Sequence, residues 1–187
     1  VVLEGLTLEQ GKAASGGGLM IQGRGEVLVR SCTFSGNEAG YYGGGAIYAN
    51  AGRLRVERST FSGNRGNQGG AVLLDQAMIA EFEECRFEQN RGSLGGALRV
   101  KEAVIASFSR CIFQENHSDG PGSVINLNGT SSRAPEVKIA AAMIDDGDIF
   151  NGAEYPGKLV VESSQLPATS KGSTGWTDGG GNRYGEE

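Results

Sequence analysis

The stretch STFSGN (59–64) followed by GGAVLL (69–74) decides the fold, because both halves return along the chain. The first half recurs as CTFSGN (32–37), CRFEQN (85–90) and CIFQEN (111–116), which places Phe34, Phe61, Phe87 and Phe113 at intervals of 27, 26 and 26 residues. The second recurs as GGGLMI (16–21), GGGAIY (43–48), GGALRV (95–100) and, less completely, PGSVIN (121–126). A period of about 26 residues repeated this often is the signature of a stacked architecture.

The register extends beyond these copies. Leu8 and Gly11 lie one period before Phe34 and Asn37. After an insertion within 128–136, Val137, Ile139, Ala142 and Ile144 repeat the same offsets, and Leu159, Val161, Ser164 and Leu166 form a partial copy. Within each repeat, small or apolar residues alternate with polar ones, as in Leu54/Val56/Ser59 and Ala80/Phe82/Cys85. That period of two describes a strand with one buried face. The bounding Gly and Asn residues are expected to supply turns, where positive φ is tolerated.

A repeat of this size cannot bury its own apolar face, so successive repeats must stack. The expected fold is all-β, a right-handed parallel β-helix of about six coils over 1–166, followed by an irregular cap over 167–187. Stacking places Phe34, Phe61, Phe87 and Phe113 in one column, and Asn37, Asn64, Asn90 and Asn116 in a second, hydrogen-bonded one. Gly45, Gly70, Gly96 and Gly122 form a third, where no side chain need be fitted.

Composition agrees with this reading. The 187 residues include 32 glycines, well above the usual ~7%, but the glycines lie in register and not at every third position. A net charge of −5 without a basic stripe argues against nucleic acid. No apolar run reaches the ~20 residues of a membrane span. The chain opens on Val1-Val2-Leu3, without start methionine or signal peptide, which implies a processed or trimmed piece.

The repeated GGA-[I/V/L] segments (Gly44–Ile47, Gly69–Val72, Gly95–Leu98) alternating with F-x-x-N (Phe34–Asn37, Phe61–Asn64, Phe87–Asn90, Phe113–Asn116) resemble the repeat of chlamydial polymorphic outer-membrane proteins. Those proteins sit within the wider pectate-lyase-like β-helix superfamily. The resemblance covers roughly residues 1–128 and implies a secreted or surface-displayed β-helix, often an adhesive passenger. It also implies where an enzyme of the superfamily would keep its chemistry: paired carboxylates, or an arginine or lysine base with calcium, in a groove on one outward face.

Candidate residues divide into a few groups. Cys32, Cys85 and Cys111 share an inward column with Ser59 and read as small packed side chains, although Cys85 and Cys111 on adjacent coils are within disulfide range. Asp145, Asp146 and Asp148 around Gly147 are candidate calcium ligands; a solvated turn is the alternative. Outward charges suggest inter-coil pairs Arg30–Glu57, Arg55–Glu81 and Arg58–Glu84–Arg110. Glu57 beside Glu83 is the best carboxylate pair for hydrolysis, with a structural charge ladder as the alternative. His117 follows Glu38, Arg65 and Arg91 in an exposed turn column. Tyr41, Tyr42 and Tyr48 form an exposed aromatic group able to stack on sugars or a partner. Of two sequons, Asn128 in a loop is the better glycan site, since Asn116 belongs to the amide column.

The functional expectation is a non-enzymatic extracellular or cell-surface module, adhesive or structural, without cofactor unless calcium binds. Its partners would be other proteins or further copies of itself through open coil edges, or glycans. The alternative is a β-helix that binds or processes polysaccharide. An ice-binding face is disfavoured, because Thr33 and Thr60 are followed in their row by Arg86 and Ile112.

Overall fold

A computed structural model of the chain describes residues 1–120, 122–129, 133–144, 149–151, 157–166 and 176–184. Every strand pairing among them is parallel, and each strand pairs with its counterpart one repeat away. The result is a β-solenoid of about six turns. Three ribbons of strands run along it.

The first ribbon contains Val2–Glu4, Glu26–Arg30, the long strands Ile47–Glu57 and Val72–Glu83, Ile105–Ser109, Glu136–Ala140, Lys158–Glu162 and Thr177–Asp178. A branch of the same sheet carries Leu19–Gln22, Leu98–Lys101 and Ile125–Asn128. The phenylalanine strands, from Thr7–Glu9 through Thr60–Ser62 to Arg183–Tyr184, make the second ribbon. The third is the run of two-residue strands Lys12–Ala13, Glu38–Ala39, Arg65–Gly66, Arg91–Gly92 and His117–Ser118.

The core follows from the strand alternation. Phe34, Phe61, Phe87 and Phe113 are fully buried and stack face to face, with centroids 5.0, 4.8 and 5.0 Å apart. Phe82 and Phe108 from the first ribbon stack on each other at 4.8 Å and meet the main column at steep angles. Parallel rings along the axis and edge contacts across it let aromatic side chains fill the interior from two sides. Each contributes ~1.5–3 kcal/mol from burial alone.

The asparagine column turns the corner between the second and third ribbons. Asn37 Nδ2 donates to Asn64 Oδ1 at 3.0 Å, Asn64 to Asn90 at 3.0 Å, and Asn90 to Asn116 at 2.9 Å. Each Oδ1 also accepts the backbone N–H of the preceding asparagine, and each Nδ2 also donates to a main-chain carbonyl, that of Phe34, Phe61 or Phe87 for the last three. These amides are at most 4% exposed and leave little hydrogen-bonding capacity unused.

Glycine is required where two turns meet. A Cβ on Gly70 would lie 1.8 Å from the Gly96 carbonyl oxygen, and one on Gly45 2.3 Å from that of Gly70. The turns themselves differ from the sequence expectation. The left-handed residue is not the asparagine but the one before it: Gln10, Gly36, Gly63, Gln89 and Glu115 all have φ between 51° and 59°. The opposite corner uses Ser31, Arg58, Glu84 and Arg110 in the same conformation. Inter-coil hydrogen bonds from these backbone N–H groups hold the bends, so side chains other than glycine are tolerated there.

The C-terminal segment also differs. Residues 176–184 stay in register: Val160 pairs with Thr177 and Leu166 with Tyr184, which adds a short rung. Asn182 accepts the Ser164 N–H and donates to the Val161 carbonyl, while Trp176 and Tyr184 pack on the end of the core.

Replacing Asn90 by alanine removes the side-chain donor to the Phe61 carbonyl and Asn116 Oδ1 and the acceptor of two Asn64 N–H bonds. Asn116 Oδ1 keeps the Asn90 backbone N–H, so three groups are stranded. At the low end of ~1–3 kcal/mol per group we expect a loss of about 3 kcal/mol in denaturant stability, with a smaller loss for Asn37→Ala nearer the end of the column.

Candidate functional site

The outward face of the first ribbon carries the carboxylate pair Glu57 and Glu83, which are register partners on adjacent coils. Glu57 is only 8% exposed because three guanidiniums close over it. Its Oε1 accepts from Arg55 at 2.7 Å, and its Oε2 meets Arg30 at 3.2 Å and Arg58 at 3.4 Å. Glu83 is held by Arg110 and, at 3.6 Å, by Arg55. A general acid or base must reach the proton it moves. Here the oxygens of Glu57 face arginines, and the pair is built as an ion network.

The network has partners that the repeat spacing alone does not give. Arg30–Glu57 and Arg110–Glu84 (3.1 Å) join the expected residues. Arg55 instead reaches Glu57 on its own strand and Glu83 on the next coil, and Glu81 pairs with Arg53 at 3.9 Å. Arg58 turns back to Glu57 rather than to Glu84. The side chains are long enough to choose between a neighbour across the coils and one two residues along.

The three cysteines are free and buried. Cys85 and Cys111 share a thiol contact, and this neighbour together with burial pushes the Cys85 thiol far above its ordinary range. Thiols also point at the carbonyls of Val56 and Phe82. Ser59 fills the missing place by accepting the Cys32 N–H and donating to the Glu57 carbonyl. The contact between Cys85 and Cys111 lowers the pKa of the Cys111 thiol, and all three cysteines lie in the core, where they pack as small side chains.

Asp145, Asp146 and Asp148 lie outside the described residues. Among the described residues no cluster of three or more His, Cys, Asp or Glu side chains is arranged for a metal ion. Asn128 ends the strand Ile125–Asn128, paired with Lys101, and is exposed; it does not sit within a loop as expected. Asn116 is 4% exposed with its amide nitrogen donated to Phe87. Tyr41 and Tyr42 are exposed and meet edge to face at 4.9 Å. Tyr48 is half-buried on the strand Ile47–Glu57, and its hydroxyl accepts from Asn50.

Two further groups of polar residues stand out: one, around Arg99, has no signal in the repeat, and the other brings the turn column of Arg65 and Arg91 together with Tyr41. Arg99 is outward-facing in the strand Leu98–Lys101 yet 7% exposed; Nη1 donates to Gln68 at 3.0 Å and Nε has no partner. Burial lowers its pKa, against the pull of nearby Asp75, which itself pairs with Lys101 at 3.2 Å. The other group is a groove on the third ribbon, lined by Glu38, Arg65, Arg91 and Asp119 together with Tyr41 and Asn67. The repeated Asn-Arg-Gly at 64–66 and 90–92 is the sequence signal that marks it.

A family model described as right handed beta helix region matches residues 1–139. No curated protein and no solved structure matches the chain.

The Glu57→Gln variant keeps the shape but weakens three charge-assisted contacts. With partly exposed arginines the cost should be about 1–2 kcal/mol, read as a lower denaturation midpoint whose gap to wild type widens at low salt and narrows at high salt.

Proposed function

The chain belongs to the right-handed β-helix family, and from that premise we propose that it is a non-enzymatic, extracellular or cell-surface rod with an adhesive or structural role. The observation that carries this reading is the commitment of outward charges on the first ribbon to one another. Glu57 spends both oxygens on three arginines, and the Lys138–Glu162 (2.6 Å) and Lys158–Glu136 (2.7 Å) pairs continue the pattern on later coils. A face organised in this way resists shear between coils and presents a regular charged wall.

The GGA-[I/V/L] and F-x-x-N repeats, similar to those of chlamydial polymorphic outer-membrane proteins, support surface display. On this reading the partners are other proteins or further copies of the chain.

Isolation from the native source tests it. The rod reading expects the chain in a particulate or polymeric surface fraction, with no cleavage of acidic polysaccharides. A free monomer that cleaves such a polysaccharide, with turnover abolished in Glu57→Gln, would establish the polysaccharide-processing alternative instead.

A further inference from the structure

Most charges on the first ribbon follow one rule: a side chain faces an opposite charge, across the coils or along the strand. Where Glu57 and Glu83 are neighbours, arginines surround both. The third ribbon breaks the rule. In register there stand Lys12, Glu38, Arg65, Arg91 and His117. Glu38 is taken by Lys12 at 3.2 Å. Asp119 serves Arg91 and lies 3.5 Å from His117 Nε2. Among the described residues Arg65 makes no close ion pair: it acts on the Asp119 carboxylate only at longer range, its register neighbour Glu38 is held by Lys12, and it stands one coil from another arginine. Like charges placed directly opposite destabilise a sheet.

The surroundings fit a ligand that would relieve this. Arg65 and Arg91 line an open groove together with Tyr41, Asn67 and the carboxylates Glu38 and Asp119; Glu38 is engaged by Lys12. The turn geometry is fixed: Asn67 Nδ2 donates to the Tyr41 carbonyl at 3.2 Å, and the Asn67 carbonyl accepts from Ser93 and Leu94. Gly66 cannot be larger, because a Cβ would lie 2.3 Å from the Gly69 carbonyl oxygen, so the two arginines rise from a rigid base. Their Cα atoms are one strand spacing apart, about 4.8 Å. Two guanidinium forks at that spacing can share one tetrahedral anion, each donating in pairs to its oxygens.

We propose that Arg65 and Arg91 form an oxyanion site, which takes a sulfate or phosphate group, free or as an ester on a larger ligand. Asp119 is its internal competitor: it occupies Arg91 when the site is empty and swings away when the anion arrives. Arginine holds the Asp119 carboxyl below its ordinary range, first through the Arg91 hydrogen bond, so it remains an anion and a competitor at neutral pH. The proposal does not depend on the rod being adhesive, since it concerns a different face from the ion network.

The test titrates inorganic sulfate, inorganic phosphate and a sulfated dextran oligosaccharide into the full chain at constant ionic strength. Binding is followed by the NMR signals of the Gly66 and Gly92 amides and the Arg65 Nε–H. Saturable shifts are expected, weakened at least ten-fold by Arg65→Gln and by Arg91→Gln. Arg65→Lys should fall between, because the charge remains but the fork is lost. Asp119→Asn should tighten binding several-fold, which a general surface-charge effect also produces only weakly and without the Gly66 shift. Tighter binding of the oligosaccharide than of either ion assigns the group to an ester; equal binding assigns it to the free anion. Absence of saturable shifts with all three probes, or equal weakening by the distant Lys158→Gln, overturns the site.

Discussion

Asn64 accepts two hydrogen bonds from Asn37 and donates to Asn90 and to the Phe34 carbonyl, and the same arrangement repeats one coil later. That contact expresses the constraint on which the whole molecule depends. In-register parallel stacking puts each side chain about 4.8 Å from its counterpart on the next coil, so an inward position favours residues that interact well with whatever fills the same place one coil away, their own kind above all. An amide does so because it is donor and acceptor at once. Phenylalanine does so by stacking, and glycine by vacating the space.

The same constraint explains the outward face. A charge cannot stack on its own kind, so columns of ionisable residues need opposite neighbours. The arginines around Glu57 and Glu83 meet that need by reaching diagonally and along the strand. On the third ribbon Arg65 and Arg91 stand on adjacent coils, and there the turns form a groove.

Much of this was legible in the sequence because the constraint acts on residue type. Four phenylalanines and four asparagines at constant spacing reveal the columns, the period and the strand faces before any coordinate is known. What could not be read has a physical cause in each case. Arg55 and Arg58 choose their partners by side-chain reach, which spacing does not encode. Gln89 and Glu115 adopt left-handed φ because inter-coil hydrogen bonds hold the bend, against their own preference. Residues 176–184 keep register through two-residue strands, too short to show alternation. Tyr48 and Arg99 occupy outward positions by pattern, and the burial of Arg99 comes from neighbours outside its own repeat, such as Gln68. The insertion after residue 128 makes a loop the natural expectation at Asn128, whereas pairing with Lys101 extends the strand to include it.

Amide hydrogen exchange tests the central claim most directly, because the backbone N–H of Asn37, Asn64 and Asn90 each donate to the side chain one coil away. If self-pairing columns hold the solenoid together, these three amides exchange among the slowest in the chain, with Asn64 and Asn90 slower than Asn37. Exchange of Asn64 and Asn90 as fast as that of the exposed turn residues Tyr41 and Tyr42 would contradict it.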